Sequence, residues 1–146
     1  DTVNLAARLE GQTKFYGVSI LIGENLAARL TDFALVELDL IRVVGREAPE
    51  RVFVLSGAPD MVSSPAFITS RDVIHSFFVP AFRVTMLAAY RSQDWAAAEA
   101  EIARLQGADT VAGLQNVLTL YTGRIAKYLE TPPPEGWDGV SQATEK

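Results

Sequence analysis

Cysteine is absent from this sequence of 146 residues, and His75 is its single histidine. Without cysteine there can be no disulfide, thiolate metal ligand or cysteine nucleophile, and the composition fits a reducing compartment. The sequence also has no basic run, and 13 basic against 18 acidic residues give a net charge of −5. Because this charge repels a phosphate backbone, we expect no binding to nucleic acid.

Long hydrophobic runs are absent as well. No apolar stretch approaches the roughly 20 residues that span a bilayer, and no charged start followed by an apolar signal core is present, so we expect no membrane contact by this segment. Apolar residues nevertheless make up 49% of the chain, which is enough for a sizeable core at this length. The first residue is Asp1 rather than Met, and a helix is predicted from Val3, so we expect a longer parent protein.

The first 57 residues predict short helices and strands. Apolar residues from Val3 to Leu9 follow helical spacing, with Gly11 as the predicted end of the helix. The run GVSILIG at 17–23 predicts a buried strand, and ENLAARL after it predicts a second short helix. FALVELDLIRVVG, in which apolar residues alternate with charged ones, predicts a β-hairpin whose second strand is 51–55.

The rest of the chain predicts helices after a linker. Prolines and serines between residues 58 and 65 indicate a domain boundary near residue 60. MLAAYRSQDWAAAEAEIARL then predicts a helical hairpin in which Asp94 caps the second helix. Another helix is predicted at 110–129 and is ended by the prolines that follow Thr131. The polar tail is predicted to be extended.

Asn4 and Arg8 are the first candidate site residues. A separation of four positions places both side chains on the same side of a helix, about one turn apart. Spacing alone leaves two interpretations open, since such a pair can serve a functional site or simply solvate the helix.

Three quoted stretches carry a resemblance to a known family. DTVNLAARLEG, YGVSILIGE and ELDLIRVVGREAPERVFVL, in this order, resemble the second half of the catalytic domain of class III adenylate cyclases, over residues 1–57. The sequence from MLAAYR to the end is similar to the C-terminal extension of bacterial cyclases that carry a CHASE-type sensor and membrane helices upstream. The resemblance implies an α+β fold: a partial ferredoxin-like half (helix, strand, helix, β-hairpin) over residues 1–57, followed by a helical extension at 86–131 and a tail at 132–146. Residues 58–85 between them are predicted to be a linker that contains a foreign segment.

The same resemblance implies an activity. Class III adenylate cyclases form cyclic AMP and pyrophosphate from ATP with two Mg²⁺ ions, and they work as dimers; we therefore expect a homodimer. Asn4 and Arg8 match the Asn and Arg that face the ribose and triphosphate, where a guanidinium and an amide stabilise charge on the phosphate oxygens. The parent is expected to be anchored in the bacterial inner membrane, with this segment in the cytoplasm.

Two departures from the family pattern bear on activity. The metal-binding aspartates and the base-reading residue are expected upstream of Asp1, so the Mg²⁺ ligands are absent from this chain and it is predicted to be inactive alone. Val44 stands where the family commonly has a phosphate-contacting Lys. Arg46 is either a substitute charge or a solvated turn residue. The alternative function is a noncatalytic helical interaction or dimerisation module on a degenerate cyclase remnant.

A second resemblance falls on residues 68–84, ITSRDVIHSFFVPAFRV. They resemble cytochrome c oxidase subunit II, in which the corresponding histidine binds a dinuclear copper centre. That centre also needs thiolates and another histidine, so we expect no copper here. His75 is predicted instead to lie beside an apolar patch that includes Phe82. The aromatic and β-branched content favours a strand, and Pro80 is predicted to break or start a helix.

Overall fold

The computed structural model describes residues 2–44, 47–57, 79–107 and 114–143. Several predictions fall outside these residues: the domain boundary near residue 60, most of the linker, the charge at Arg46 and the environment of His75. The described residues form an α+β structure, as predicted.

The N-terminal elements follow the predicted order of helix, strand, helix and hairpin. They are α1 (Thr2–Tyr16), β1 (Leu21–Gly23), α2 (Glu24–Ala27), β2 (Ala34–Arg42) and β3 (Glu50–Gly57).

Helix α1 is longer than predicted, because Gly11 does not end it. A glycine inside a helix costs only about 1 kcal/mol, and continuing the helix buries Tyr16, which is 1% exposed. The helix ends instead before Gly17, whose φ of +66° suits glycine.

The four strands form one sheet in the order β1-β3-β2-β4, in which β4 (Ser141–Gln142) comes from the tail. Strand β3 pairs antiparallel with both β1 and β2, and Val54 lies opposite both Leu21 and Val36. Strand β2 pairs in parallel with β4. The pairing of β2 with β3 shifts between Glu37 and Asp39, which marks an irregularity in the ladder.

The C-terminal helices are α3 (Pro80–Leu87, with wide π-helical turns), α4 (Ala88–Arg91), α5 (Trp95–Gln106) and α6 (Leu114–Glu130). The predicted cap of α5 is confirmed, since Oδ1 of Asp94 accepts a hydrogen bond from the backbone N–H of Ala97 at 3.1 Å.

The prediction of a strand within residues 68–84 is wrong where the structure describes this segment. Residues from Pro80 onward are helical, so 80–85 belong to a helix rather than to a linker. Pro80 lies in the first turn, where its missing N–H leaves no helical hydrogen bond unmade. Phe82 and Met86, four positions apart, are both fully buried, so this segment contributes to the core.

One hydrophobic core joins the sheet to α1, which precedes residues 58–78 in the chain, and to the four C-terminal helices, which follow them. Helix α1 contributes Leu9 and Tyr16. The strands and the C-terminal helices contribute further side chains, which include Val36, Leu38, Val52, Phe82, Tyr90, Ile102, Leu118, Tyr121 and Ile125. Among the described residues, no helix is long and apolar enough to cross a membrane.

Candidate functional site

Asn4 and Arg8 lie together on the exposed side of α1. An adjacent side of the helix, about a quarter turn away, contributes Leu9 and Tyr16 to the core, at 4% and 1% exposure. Among the described residues, the side chains of Asn4 and Arg8 form no hydrogen bond or ion pair. The structure thus presents both predicted residues to solvent on a helix held against the core.

Helical spacing extends this exposed side toward the C-terminus of α1. Gly11 and Phe15 follow Asn4 and Arg8 at intervals of three and four positions, so the four residues form a line about 16 Å long. Phe15 is 48% exposed. Its ring centroid lies 5.9 Å from Cζ of Arg124, a cation–π arrangement. We call these four residues the Asn4 face.

A cavity of about 950 Å³ lies beside a different side of α1. It lies between α1, β1 and α2, and Asn4 and Arg8 are not in its lining. The lining comprises Leu5, Ala6, Leu9, Glu10, Thr13, Ser19, Ile20, Leu21, Ile22, Gly23, Asn25, Leu26, Ala28, Arg29 and Glu50. The sequence did not indicate this cavity, because it forms only when α1 and α2 approach the edge strand β1.

Glu50 is the buried acid of the cavity wall. Its Oε1 accepts a hydrogen bond from the backbone N–H of Glu24 at 3.0 Å, at the first residue of α2. A Cβ added at Gly23 would lie 2.5 Å from the same oxygen. A side chain at residue 23 would therefore displace the Glu50 carboxylate from its present position against α2.

Asp39 of β2 is a buried carboxylate that joins three elements. Its Oδ2 accepts from the hydroxyl of Tyr16 at 2.7 Å and from Nη1 of Arg124 at 2.7 Å. Nearby, the hydroxyl of Tyr121 donates to the backbone carbonyl of Leu38 at 2.8 Å. These bonds fix α1 and α6 against the same stretch of β2.

The phenol of Tyr16 stays protonated in this environment. Burial raises its pKa far above the ordinary value of 10.0, and the charge of Asp39 raises it further against a smaller opposing effect of Arg124. Tyr16 is therefore a hydrogen-bond donor to Asp39 throughout the physiological range.

Glu37, two residues before Asp39, is also buried, and its side chain is 2% exposed. It forms ion pairs with Arg91 at 2.9 Å and with Arg83 at 3.3 Å, and Arg51 lies 3.9 Å away. The sequence analysis did not identify either acid, because the alternation of apolar and charged residues along β2 indicated a strand but no partners for its acids. The structure covers both sides of this strand, and the arginines that accompany the acids come from distant segments.

Among the described residues, no three His, Cys, Asp or Glu side chains come together as metal ligands. Glu37 and Asp39 already have arginine partners, so their oxygens are occupied.

Val44, which stands where the cyclase family commonly has a phosphate-contacting Lys, lies just beyond β2 and is 48% exposed.

In comparisons with family models, curated proteins and solved structures, none matches the chain. The α+β class and the mixed four-stranded sheet are features of the structure itself. The ferredoxin-like assignment and the two family resemblances remain predictions from the sequence.

Proposed function

We propose that this chain supplies the Asn and Arg half of an adenylate cyclase active site, and that a second catalytic domain supplies the other half. The observation that supports this proposal is the joint exposure of Asn4 and Arg8 on one side of α1. Leu9 and Tyr16, on an adjacent side of the same helix, hold it against the core. A site formed between two domains needs polar groups presented in this way on a rigid support.

The proposed chemistry is cyclisation of ATP. The 3′-oxygen bonds to the α-phosphorus, the bond from that phosphorus to pyrophosphate breaks, and the hydroxyl proton ends on pyrophosphate. Negative charge spreads over the non-bridging phosphate oxygens in the transition state. The Arg8 guanidinium and the Asn4 amide would donate hydrogen bonds to these oxygens and to the ribose, and one such donor contributes about 10²- to 10³-fold in rate.

The other components of the active site would come from parts of the protein outside the described residues. Magnesium would supply positive charge at the triphosphate, and its ligands are expected beyond this chain. The described part of 1–57 is interpreted as half of a ferredoxin-like cyclase domain, and the partner as a second copy of the full-length protein. On this proposal the parent is anchored in the bacterial inner membrane, with this segment in the cytoplasm.

Complementation tests the proposal directly. The full chain is added to a class III cyclase catalytic domain that keeps its metal aspartates but has alanine in place of its own Asn and Arg. With ATP and MgCl₂, we expect cyclic AMP from the mixture and none from either protein alone. Arg8→Ala should lower turnover about 10²- to 10³-fold, with a much smaller change in apparent ATP affinity.

Lys14→Ala is the matched control, because Lys14 is another exposed cation on α1. It should leave turnover within about twofold, as expected for a surface change outside the site. Equal losses for Arg8→Ala and Lys14→Ala, or a loss of ATP affinity alone, would contradict the proposed role of Arg8.

A noncatalytic interaction or dimerisation module is the second candidate. The observation that favours it is that three helices each expose a large apolar side chain that a partner could cover: Val3 at 81%, Val84 at 68% and Leu129 at 56%. Light scattering after size-exclusion chromatography gives the oligomeric state. A stable dimer that forms without any complementation of cyclase activity would favour this second candidate.

A further inference from the structure

Three arginines from three elements surround the buried carboxylate of Glu37. Arg91 of α4 donates from Nη2 to Oε1 at 2.9 Å, and Nε of Arg83 on α3 lies 3.3 Å from Oε2. Nε of Arg51 on β3 lies 3.9 Å from Oε1, and its Nη1 pairs with Glu24 at 3.1 Å. All three guanidinium groups are thus held around one carboxylate.

The guanidinium groups of the cluster outnumber their ion-pair partners. Among the described residues, three guanidinium groups form ion pairs with two carboxylates, those of Glu37 and Glu24. One guanidinium can satisfy a carboxylate through two parallel hydrogen bonds. Three guanidinium groups therefore exceed what the burial of Glu37 requires, and their mutual repulsion favours an added anion.

The cluster also has hydrogen-bond donors that solvent can reach. Each guanidinium carries five N–H donors, whereas the Glu37 carboxylate accepts about four hydrogen bonds. The Arg83, Arg51 and Arg91 side chains are 58%, 46% and 27% exposed, while Glu37 is buried beneath them. The Glu37 carboxylate therefore holds the inner edges of the Arg91 and Arg83 guanidinium groups, Glu24 holds that of Arg51, and outer N–H groups are left for a ligand.

We propose that Arg51, Arg83 and Arg91 form a binding site for a phosphate-type oxyanion, with Glu37 positioning the three guanidinium groups. Planar guanidinium groups match phosphate oxygens through paired hydrogen bonds, which suits this ligand class. Inorganic phosphate, pyrophosphate and the phosphates of ATP share this chemistry. The site lies on β3, α3 and α4, so it does not depend on the role proposed for Asn4 and Arg8.

Thermal unfolding and calorimetry of the full chain test this site. Phosphate, pyrophosphate and ATP are each titrated without added metal, and NaCl at matched ionic strength controls for screening. We expect a saturable rise in Tm with at least one phosphate compound and none with NaCl, because a ligand that binds only the folded state stabilises it. Tighter binding of ATP than of pyrophosphate would assign the site to a nucleotide, and the reverse to the free anion.

Variants then assign the binding to the cluster. Arg83→Gln should weaken affinity about tenfold or more, the equivalent of one charge-assisted hydrogen bond. Arg104→Gln is the matched control, since Arg104 pairs with Glu101 on the surface of α5, and it should stay within about twofold. Arg83→Lys keeps the charge but loses the paired hydrogen bonds, and it replaces Arg83→Gln if the glutamine variant does not fold. The proposal is overturned if phosphate compounds act only as NaCl does, or if Arg83 and Arg104 variants bind alike.

Discussion

Arg124 on α6 donates from Nη1 to Oδ2 of Asp39 on β2 at 2.7 Å, across 85 positions of sequence. Asp39 is 1% and Arg124 16% exposed, so the pair lies between the helix and the sheet rather than on the surface. The hydroxyl of Tyr16 donates to the same oxygen. One carboxylate thus connects the helix that carries Asn4 with the C-terminal helix, and the two parts of the chain depend on each other for stability.

Replacing Arg124 should destabilise the fold strongly. Arg124→Gln leaves the buried carboxylate of Asp39 without its cation, and removing one partner of a buried pair costs about 3 to 5 kcal/mol. Urea denaturation measures the loss in the free energy of unfolding. Arg104→Gln, on an exposed i,i+3 pair, should cost less than about 1 kcal/mol. Similar losses for both variants would contradict the role of the Arg124 pair.

Stability should fall steeply above pH 10. Burial is the largest cause that raises the pKa values of Tyr16, Tyr90 and Tyr121 well above 10.0. Below pH 10 these phenols are neutral in both the folded and the unfolded state, so their contribution is fully present there. Above pH 10 the unfolded state loses protons that the folded state keeps, so unfolding becomes easier by about 4 kcal/mol per pH unit for three tyrosines.

Absorbance at 295 nm measures how many tyrosines have lost their phenol proton during this alkaline titration. We expect the three buried phenols to ionise only as the chain unfolds, together with the loss of helical circular dichroism. Ionisation of all the tyrosines near pH 10 with the fold intact would contradict their burial.

Phe82 should be essential to the core. Phe82→Ala removes a fully buried ring that lies edge-on to Tyr121, with centroids 5.9 Å apart. We expect a loss of about 3 to 5 kcal/mol in the free energy of unfolding, measured by urea denaturation. Val84→Ala, two residues later and 68% exposed, should change it by less than about 0.5 kcal/mol. A small effect of Phe82→Ala would mean that this segment does not pack as described.

Phe82 also illustrates where sequence patterns fail to predict the fold. Local signals are sufficient for the hairpin of β2 and β3 and for the Asp94 cap, because each depends on residues close in sequence. The aromatic and β-branched residues around Phe82 favour a strand locally. Packing of Phe82 and Met86 in the core overrides that preference, and this packing involves residues distant in the chain.

The candidate sites also differ in whether they depend on residues close in sequence or on residues far apart. Asn4 and Arg8 share a helix, so four-residue spacing was enough to predict that they lie together on one side. Glu37 meets Arg91 across 54 positions, and Asp39 meets Arg124 across 85. The alternation of apolar and charged residues along β2 carries no information about such distant partners. These clusters therefore depend on the packing of the helices against the sheet, which the sequence pattern does not predict.

Alanine at Asn4 or Arg8 should leave stability nearly unchanged while lowering the proposed activity strongly. Both side chains are exposed on α1, and alanine is the best helix former, so each variant should stay within about 0.5 kcal/mol of the wild type in urea denaturation. In the complementation assay the same variants should lose cyclase turnover, because transition-state stabilisation does not depend on the stability of the fold. A loss of stability large enough to unfold the chain would assign these residues a structural role instead.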